Sequence, residues 1–295
     1  MQALAERLDT LLAGQVLRRA DLLGFSSLKT FAPAPSDLVG VTLVAVTRRA
    51  KYLVWRFADD NRVVLHLSQA GRLDVERPPK KTKPRGAVAR FMFASADATV
   101  GSRTDATAGS RTDATADLTG ILVREYGTQR KASWWVLAPG DDGPLGGLGP
   151  EPGSDEFAAF VRSSTSKRHL TTDLRDQHTV SGIGRGWGDD ILARAKLSPF
   201  TSLGALSAEQ RQALIEAAAD VMAEALALER QRTGGLSESS LGGRFSVHGQ
   251  AGQPCPACAT TLERVSFESY EMVYCPTCQT GGKVLADRRM SRLLK

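Results

Sequence analysis

At 295 residues the chain is long enough for about two domains, each with its own core. Hydrophobic content of 42% and charged content of 24% are those of an ordinary globular protein, and the absence of any run of about 20 apolar residues excludes a membrane-spanning helix. A net charge of +6 favours an anionic partner. The opening "MQALAERLDTLLAG" interrupts its apolar pattern with charges and has no secretory cleavage pattern, so a cytosolic protein is expected.

Residues 3 to 12 place Ala3, Leu4, Leu8, Leu11 and Leu12 on one helical face, and Gly14 stops the helix. From there to about residue 138 the period changes to two. "VTLVAVTRRAKYLVWRF", "RVVLHLSQAGRLDV", "AVARFMFA" and "GILVREY" read as strands separated by turn residues, which predicts an antiparallel β-sandwich or barrel. Inside it the eight residues from Gly101 repeat unchanged from Gly109. Their composition buries no core, so an expanded hairpin loop over about 96–118 is expected. "APGDDGPLGGLGPEPGSD" then marks a linker. Beyond it the pattern is helical, with Ser207 and Gln210 forming a capping box before an alanine-rich helix that runs to Arg232. "TGGLSESSLGG" is a second joint. The expected domains are 1–140, 154–235 and 247–295.

All four cysteines of the chain lie in that last segment. Cys255 and Cys258 form one C-x2-C pair and Cys275 and Cys278 the other, with 16 residues between the pairs. In a reducing compartment two disulfides are not expected, and the spacing reads as a closed tetrahedral zinc site. Pro256 and Pro276 stiffen the two turns, and "ATTLERVSFESYEMVY" alternates well enough to form a β-hairpin between them. One structural Zn2+ would replace the core that so short a segment lacks.

"LRDQHTVSGIGRGWGDDILARAKLSPF" predicts one helix ending near Val180, a turn through Ser181, Gly182 and Gly184, and a second helix from about Trp187 to Lys196. Glycines just before a helix let backbone N–H groups approach a phosphate; close packing of two helices accounts for the same glycines equally well. The stretch resembles the helix-two-turns-helix motif of the formamidopyrimidine-DNA glycosylase and endonuclease VIII family. "LGPEPGSDEF", "RRAKYLVWRF", "HLSQAGRL" and the ending "CPTCQTGGKVLADRRMSRLLK" resemble further segments of that family in the same order.

The resemblance implies an α+β multidomain protein. Its N-terminal antiparallel β-sandwich carries a flanking helix, and its C-terminal helix-two-turns-helix domain carries a zinc-finger β-hairpin. It also implies a monomeric base-excision enzyme, nucleoid-associated within the cytoplasm. Such an enzyme clamps double-stranded DNA containing damaged bases or abasic sites, flips the target nucleotide, excises the base and cleaves the strand as a lyase. Residue by residue, the match makes Lys51 a phosphate contact. Gln69 becomes either the side chain that fills the gap left by the flipped base or a plain strand-end turn. His66 is a phosphate contact or a satisfied strand histidine. Gly182, Gly184 and Arg185 form the phosphate-binding turn, with Arg185 in place of the usual asparagine.

Other positions depart from the pattern. Tyr270 stands where many relatives have the finger arginine, and Thr171 where a lysine is usual. Arg288, Arg289 and Arg292 would compensate by charge or form a solvated tail. "EYGTQRKASWW" lacks the arginine-phenylalanine wedge of one branch, so no lesion preference is implied. The family's nucleophile and acid–base partner are a proline and glutamate in a Pro-Glu-Leu-Pro-Glu-Val type start. Here Met1 runs directly into the following helix, so neither catalytic residue is among these 295. The expectation is a DNA glycosylase with AP lyase activity in which that pair must be supplied; the alternative is a non-catalytic damaged-DNA-binding protein of the same fold.

Overall fold

The computed structural model describes residues 1–96, 117–127, 130–236, 244–266 and 270–285. The repeat at 101–116, Arg288, Arg289 and Arg292 lie outside the described residues. The chain divides into two compact units, Met1–Gly146 with Arg232–Ser239, and Gly147–Gln231 with Ser240–Lys295.

In the first unit, helix α1 (Gln2–Leu12) precedes eight strands: β1 (Val16–Leu22), β2 (Leu43–Arg49), β3 (Tyr52–Phe57), β4 (Arg62–His66), β5 (Gly71–Glu76), β6 (Ala87–Ala94), β7 (Thr119–Glu125) and β8 (Ser133–Leu137). They form two four-stranded antiparallel sheets in the orders β1-β6-β7-β5 and β2-β3-β4-β8. Alternation in β2 to β5 sends one set of side chains inward, where Trp55, Phe91 and Trp134 meet edge-on at centroid distances of 5.0 and 5.3 Å. The buried Trp134 satisfies its indole N–H on Ser27 Oγ at 3.2 Å. Ala5, Leu8 and Leu12 of α1 join the same core, and Asp9 Oδ1 accepts the Val46 N–H at 2.7 Å, fastening α1 to β2.

β6 is buried along its whole length, which explains a run that is apolar at every position but one. Its one charge, Arg90, pairs with the equally buried Glu76 at 2.8 Å. Removing either partner would strand the other charge in the core.

In the second unit, α2 (Asp155–Ser163), α3 (Leu170–Asp173), α4 (Arg185–Arg194) and α5 (Ala208–Arg230) enclose a core that includes Phe157, Leu170, Ile183, Ile191 and Leu214. The capping box holds: Gln210 N–H donates to Ser207 Oγ, and Ser207 N–H to Gln210 Oε1. The hairpin β9 (Glu263–Ser266) and β10 (Glu271–Tyr274), followed by α6 (Pro276–Thr280), completes the unit.

Four helix ends differ from the sequence reading, the last being that of α5, which stops at Arg230 rather than Arg232. The first helix of the glycine-turn motif stops at Asp173 rather than near Val180. Asp176 accepts from His178 N–H and from the Thr179 hydroxyl, and this local bonding replaces the helical ladder. The second helix begins at Arg185 and ends at Arg194, two residues early at each end. Gly184 serves as N-cap, and Lys196 takes a left-handed φ of 54° just past the end.

A candidate nucleic-acid interface and metal centre

Each C-x2-C pair sits where local chain geometry turns its thiols together. In the first, Ala259 N–H returns to Cys255 C=O, with Ala259 at φ 59°. In the second, Cys275 caps α6, and Cys278 lies one turn along. The four Sγ atoms all lie within 4.8 Å of one another, with Cys258 at 3.5 Å from Cys275 and 3.4 Å from Cys278. Sulfur–sulfur edges around a tetrahedral zinc with bonds of ~2.3 Å are about 3.8 Å, whereas a disulfide requires about 2 Å. The donor set therefore fits one zinc ion, held by Cys255, Cys258, Cys275 and Cys278. Four thiolates fill the coordination sphere, so the ion's contribution is structural.

Helix α4 anchors this centre. Asp190 accepts three consecutive backbone N–H groups, those of Ser246, Val247 and His248, at 2.7, 2.9 and 3.1 Å. Its neighbour Asp189 accepts from Val273 N–H and pairs with His248 Nδ1 at 2.7 Å. That hydrogen bond raises the His248 pKa above its ordinary value, while burial is the main cause that raises Asp189. Gln279 extends the attachment, accepting from Cys275 N–H and donating to Leu197 C=O. The sequence reading missed Asp189 and Asp190, which look like an ordinary acidic pair on a helix surface. They are buried because residues more than fifty positions away fold onto them.

At the other end of α4 lies the glycine turn. Gly182 has φ 90°, and its N–H donates to Gln177 Oε1. Gln177 in turn donates to Ile183 C=O, and buried Ser181 donates to Gly149 C=O at 2.7 Å. Gly184 caps α4 without a side-chain bond to the helix, and no acidic residue occupies the first turn. The cap is thus electropositive, and a Cβ at Gly184 would meet nothing within 4 Å. Arg185, exposed, is the first helical residue. Its guanidinium lies 5.4 Å from the centre of the Tyr270 ring, and that of Arg175 lies 3.7 Å from the same ring. Thr171 is buried inside α3, so it does not substitute for a phosphate-binding lysine.

In the first unit, Lys51 occupies the two-residue connection between the paired ends Arg49 and Tyr52 of β2 and β3. Ala50 before it takes φ 52°. His66, paired with Tyr52 across the sheet, has its pKa lowered first by burial and then by the charge of Lys51. A neutral His66 beneath Lys51 adds no competing charge. Gln69 is exposed in the turn between β4 and β5. That turn is tight: Ser68 has φ 56°, and a Cβ at Gly71 would fall 2.2 Å from the Leu67 carbonyl oxygen. The structure therefore places Lys51 with His66 and Gln69 on a neighbouring rigid turn, and separately places Gly182, Gly184 and Arg185 with Arg175 and Tyr270.

Comparisons with known proteins bear on all these segments. Residues 1–108 match the formamidopyrimidine-DNA glycosylase N-terminal domain, 148–236 the formamidopyrimidine-DNA glycosylase H2TH domain, and 252–281 the zinc finger found in FPG and IleRS. A formamidopyrimidine-DNA glycosylase of Phenylobacterium zucineum is 31% identical over 255 residues, covering 82% of this chain and 84% of the relative. An uncharacterized formamidopyrimidine-DNA glycosylase-like protein of Mycobacterium tuberculosis is 43% identical over 155 residues, half of this chain and 94% of the relative. Among solved structures, the complex between Lactococcus lactis Fpg and an abasic-site-containing DNA superposes with a TM-score of 0.74 at 20% identity. It covers 94% of this chain and 97% of that one.

Proposed function

The chain belongs to the formamidopyrimidine-DNA glycosylase family, and from that premise we propose that it binds double-stranded DNA at damaged bases or abasic sites and serves base excision as a glycosylase and AP lyase. The observation that carries this reading is the continuity of α4. One end presents the open glycine turn with Arg185, and one turn further along the carboxylates of Asp189 and Asp190 hold the zinc finger. Backbone N–H groups and a guanidinium at a helix start are a phosphate site. In this reading Lys51 supplies a second phosphate contact, and the exposed Gln69 either fills the space left by a flipped base or is a plain strand-end turn. Arg288 and Arg289 add to the positive charge that favours a polyanion. The Lactococcus protein was captured on abasic-site DNA, and the same ligand class suits these residues.

Binding is tested by titrating an abasic-analogue duplex at several salt concentrations. Each phosphate contact contributes about 0.9 to the slope of log K against log salt. Lys51→Ala and Arg185→Ala are each expected to shallow that slope by about one unit. A double variant with unchanged affinity and slope would refute the assignment.

The chemistry asks more of the polypeptide. Lyase action begins when a neutral proline amine attacks C1′ of the abasic sugar; with uptake of a proton, water leaves and an iminium forms. Helix α1 begins at Gln2, and a Pro-Glu-Leu-Pro-Glu-Val run is not among residues 1–295. We expect borohydride, which reduces the iminium formed by a proline amine to a stable tertiary amine, to trap DNA only on a polypeptide carrying Pro-Glu-Leu-Pro-Glu-Val before α1. An α-amine with a pKa of about 8 is partly neutral at pH 7, whereas a lysine amine at about 10.4 is almost wholly protonated. Trapping by residues 1–295 alone would assign the reaction to another amine. Binding with no trapping by the extended form would favour the non-catalytic damaged-DNA-binding protein.

A further inference from the structure

We infer that Tyr270 is a positioning residue. Its ring holds Arg175 and Arg185 together as a two-arginine clamp for a DNA phosphate, and this rests on the DNA-binding reading above. The geometry is specific. Arg175 follows α3, Arg185 opens α4, and the glycine turn separates them in sequence; Tyr270 arrives from the zinc-finger hairpin, just before β10. The two guanidinium carbons lie 3.7 and 5.4 Å from the centre of the one ring, both inside the ~6 Å range of a cation–π contact.

Three consequences follow from the chemistry of the contact. An aromatic face attracts a cation without neutralising it, unlike a carboxylate, so the ring contact itself removes neither positive charge. Two guanidinia held near one ring repel each other, and a phosphate bound by both relieves that repulsion while using their planar donor forks. The third consequence concerns the finger. Tyrosine brings no charge of its own, so the finger's contribution to binding is to fix where arginines on other elements stand. Zinc holds the hairpin, the hairpin holds the ring, and the ring holds the guanidinia.

The test is a set of variants titrated with an abasic-analogue duplex over a range of salt: Tyr270→Phe, Tyr270→Ala, Arg175→Gln, and Tyr270→Ala combined with Arg175→Gln. Zinc content is measured on each. Tyr270→Phe keeps the ring and should bind within about twofold of the parent with the same salt slope. Arg175→Gln should lower the slope by about 0.9, one phosphate contact, and weaken binding roughly tenfold. Tyr270→Ala should weaken binding to a similar degree at one zinc per chain, and the double variant should be little worse than either single change. Three results would overturn the clamp while leaving the DNA-binding reading intact: an unchanged slope in Arg175→Gln, additive losses in the double variant, or a loss in Tyr270→Phe equal to that in Tyr270→Ala. Failure of the parent chain to bind DNA at all would overturn both.

Discussion

Replacing Asp190 by alanine isolates the joint between α4 and the finger. The carboxylate is buried and accepts three backbone N–H groups at 2.7 to 3.1 Å. A hydrogen bond to a charged group contributes about 1.5–3 kcal/mol, and the donors left behind in a buried site each lose their partner. The three bonds share one acceptor group and are not additive, so we expect Asp190→Ala to cost about 3–5 kcal/mol. Asp190→Asn retains one carbonyl oxygen and should cost roughly half as much. The assay is hydrogen exchange of the segment 244–250, read peptide by peptide, with zinc content measured alongside. A local loss of about 3 kcal/mol corresponds to more than a hundredfold faster exchange. Zinc content should stay at one per chain, because no cysteine bonds to Asp190. If exchange at Ser246, Val247 and His248 stays at the parent rate in Asp190→Ala, the joint does not depend on this carboxylate.

His248 gives a pH dependence whose sign is fixed. Its pKa in the folded protein is raised above 6.5, by the Asp189 hydrogen bond first and further by the charges of Asp189, Asp190 and Glu271, against burial. The stability it contributes is therefore complete below about pH 6.5 and is lost as pH rises through the raised value. Protection of segment 244–250, corrected for intrinsic exchange, should decline over that range in the parent and be flatter in His248→Gln. Gly186→Ala is expected to cost about 1–3 kcal/mol by overpacking, because its Cβ would fall 2.3 Å from the Phe245 ring. Thermal unfolding checks this, and a midpoint equal to the parent's would refute it. Stripping zinc with a chelator should unfold the finger and weaken binding of the abasic-analogue duplex, while circular dichroism of the β-sheets is retained. Equal affinity with and without metal would show that the finger plays no part.

β3 and β4 were legible because Leu53, Trp55 and Phe57, and Val63 and Leu65, recur at every second position in the main core, although Val54 and Val64 on the opposite face are buried too. β6 was legible as a short apolar run. β1 and β8 were not singled out. β1 carries Arg18, Arg19 and Asp21 within seven residues at a sheet edge, so its pattern is weak. β8 is a five-residue edge strand whose two tryptophans lie on different faces, Trp134 in the main core and Trp135 in a smaller cluster. The metal site was legible in full, since spacing alone brings four thiols together. The early stop of α3 was not, because helical periodicity gives no weight to Asp176 capturing its own downstream N–H. Asp189 and Asp190 were hidden for a different reason. Their partners at 246–248 and 273 are distant in sequence, and a carboxylate pair on a helix reads as solvated until the chain covering it is known.

Those two carboxylates also explain why a zinc site belongs in this chain at all. A four-cysteine centre does no chemistry, and a hairpin carried on loops alone would be a poor guide for a charged ligand. Attached to α4 at adjacent positions, it becomes rigid relative to the helix whose first residue is Arg185. The phosphate contact proposed for the glycine turn and the attachment of the metal-bearing finger then bear on one element. A ligand that favours the ordered helix start favours the docked finger, and the converse holds by the reciprocity of linked equilibria. On the proposed DNA-binding reading, zinc contributes to affinity through position rather than charge, and arginines on α4 and beside α3 supply the charge that Tyr270 does not carry.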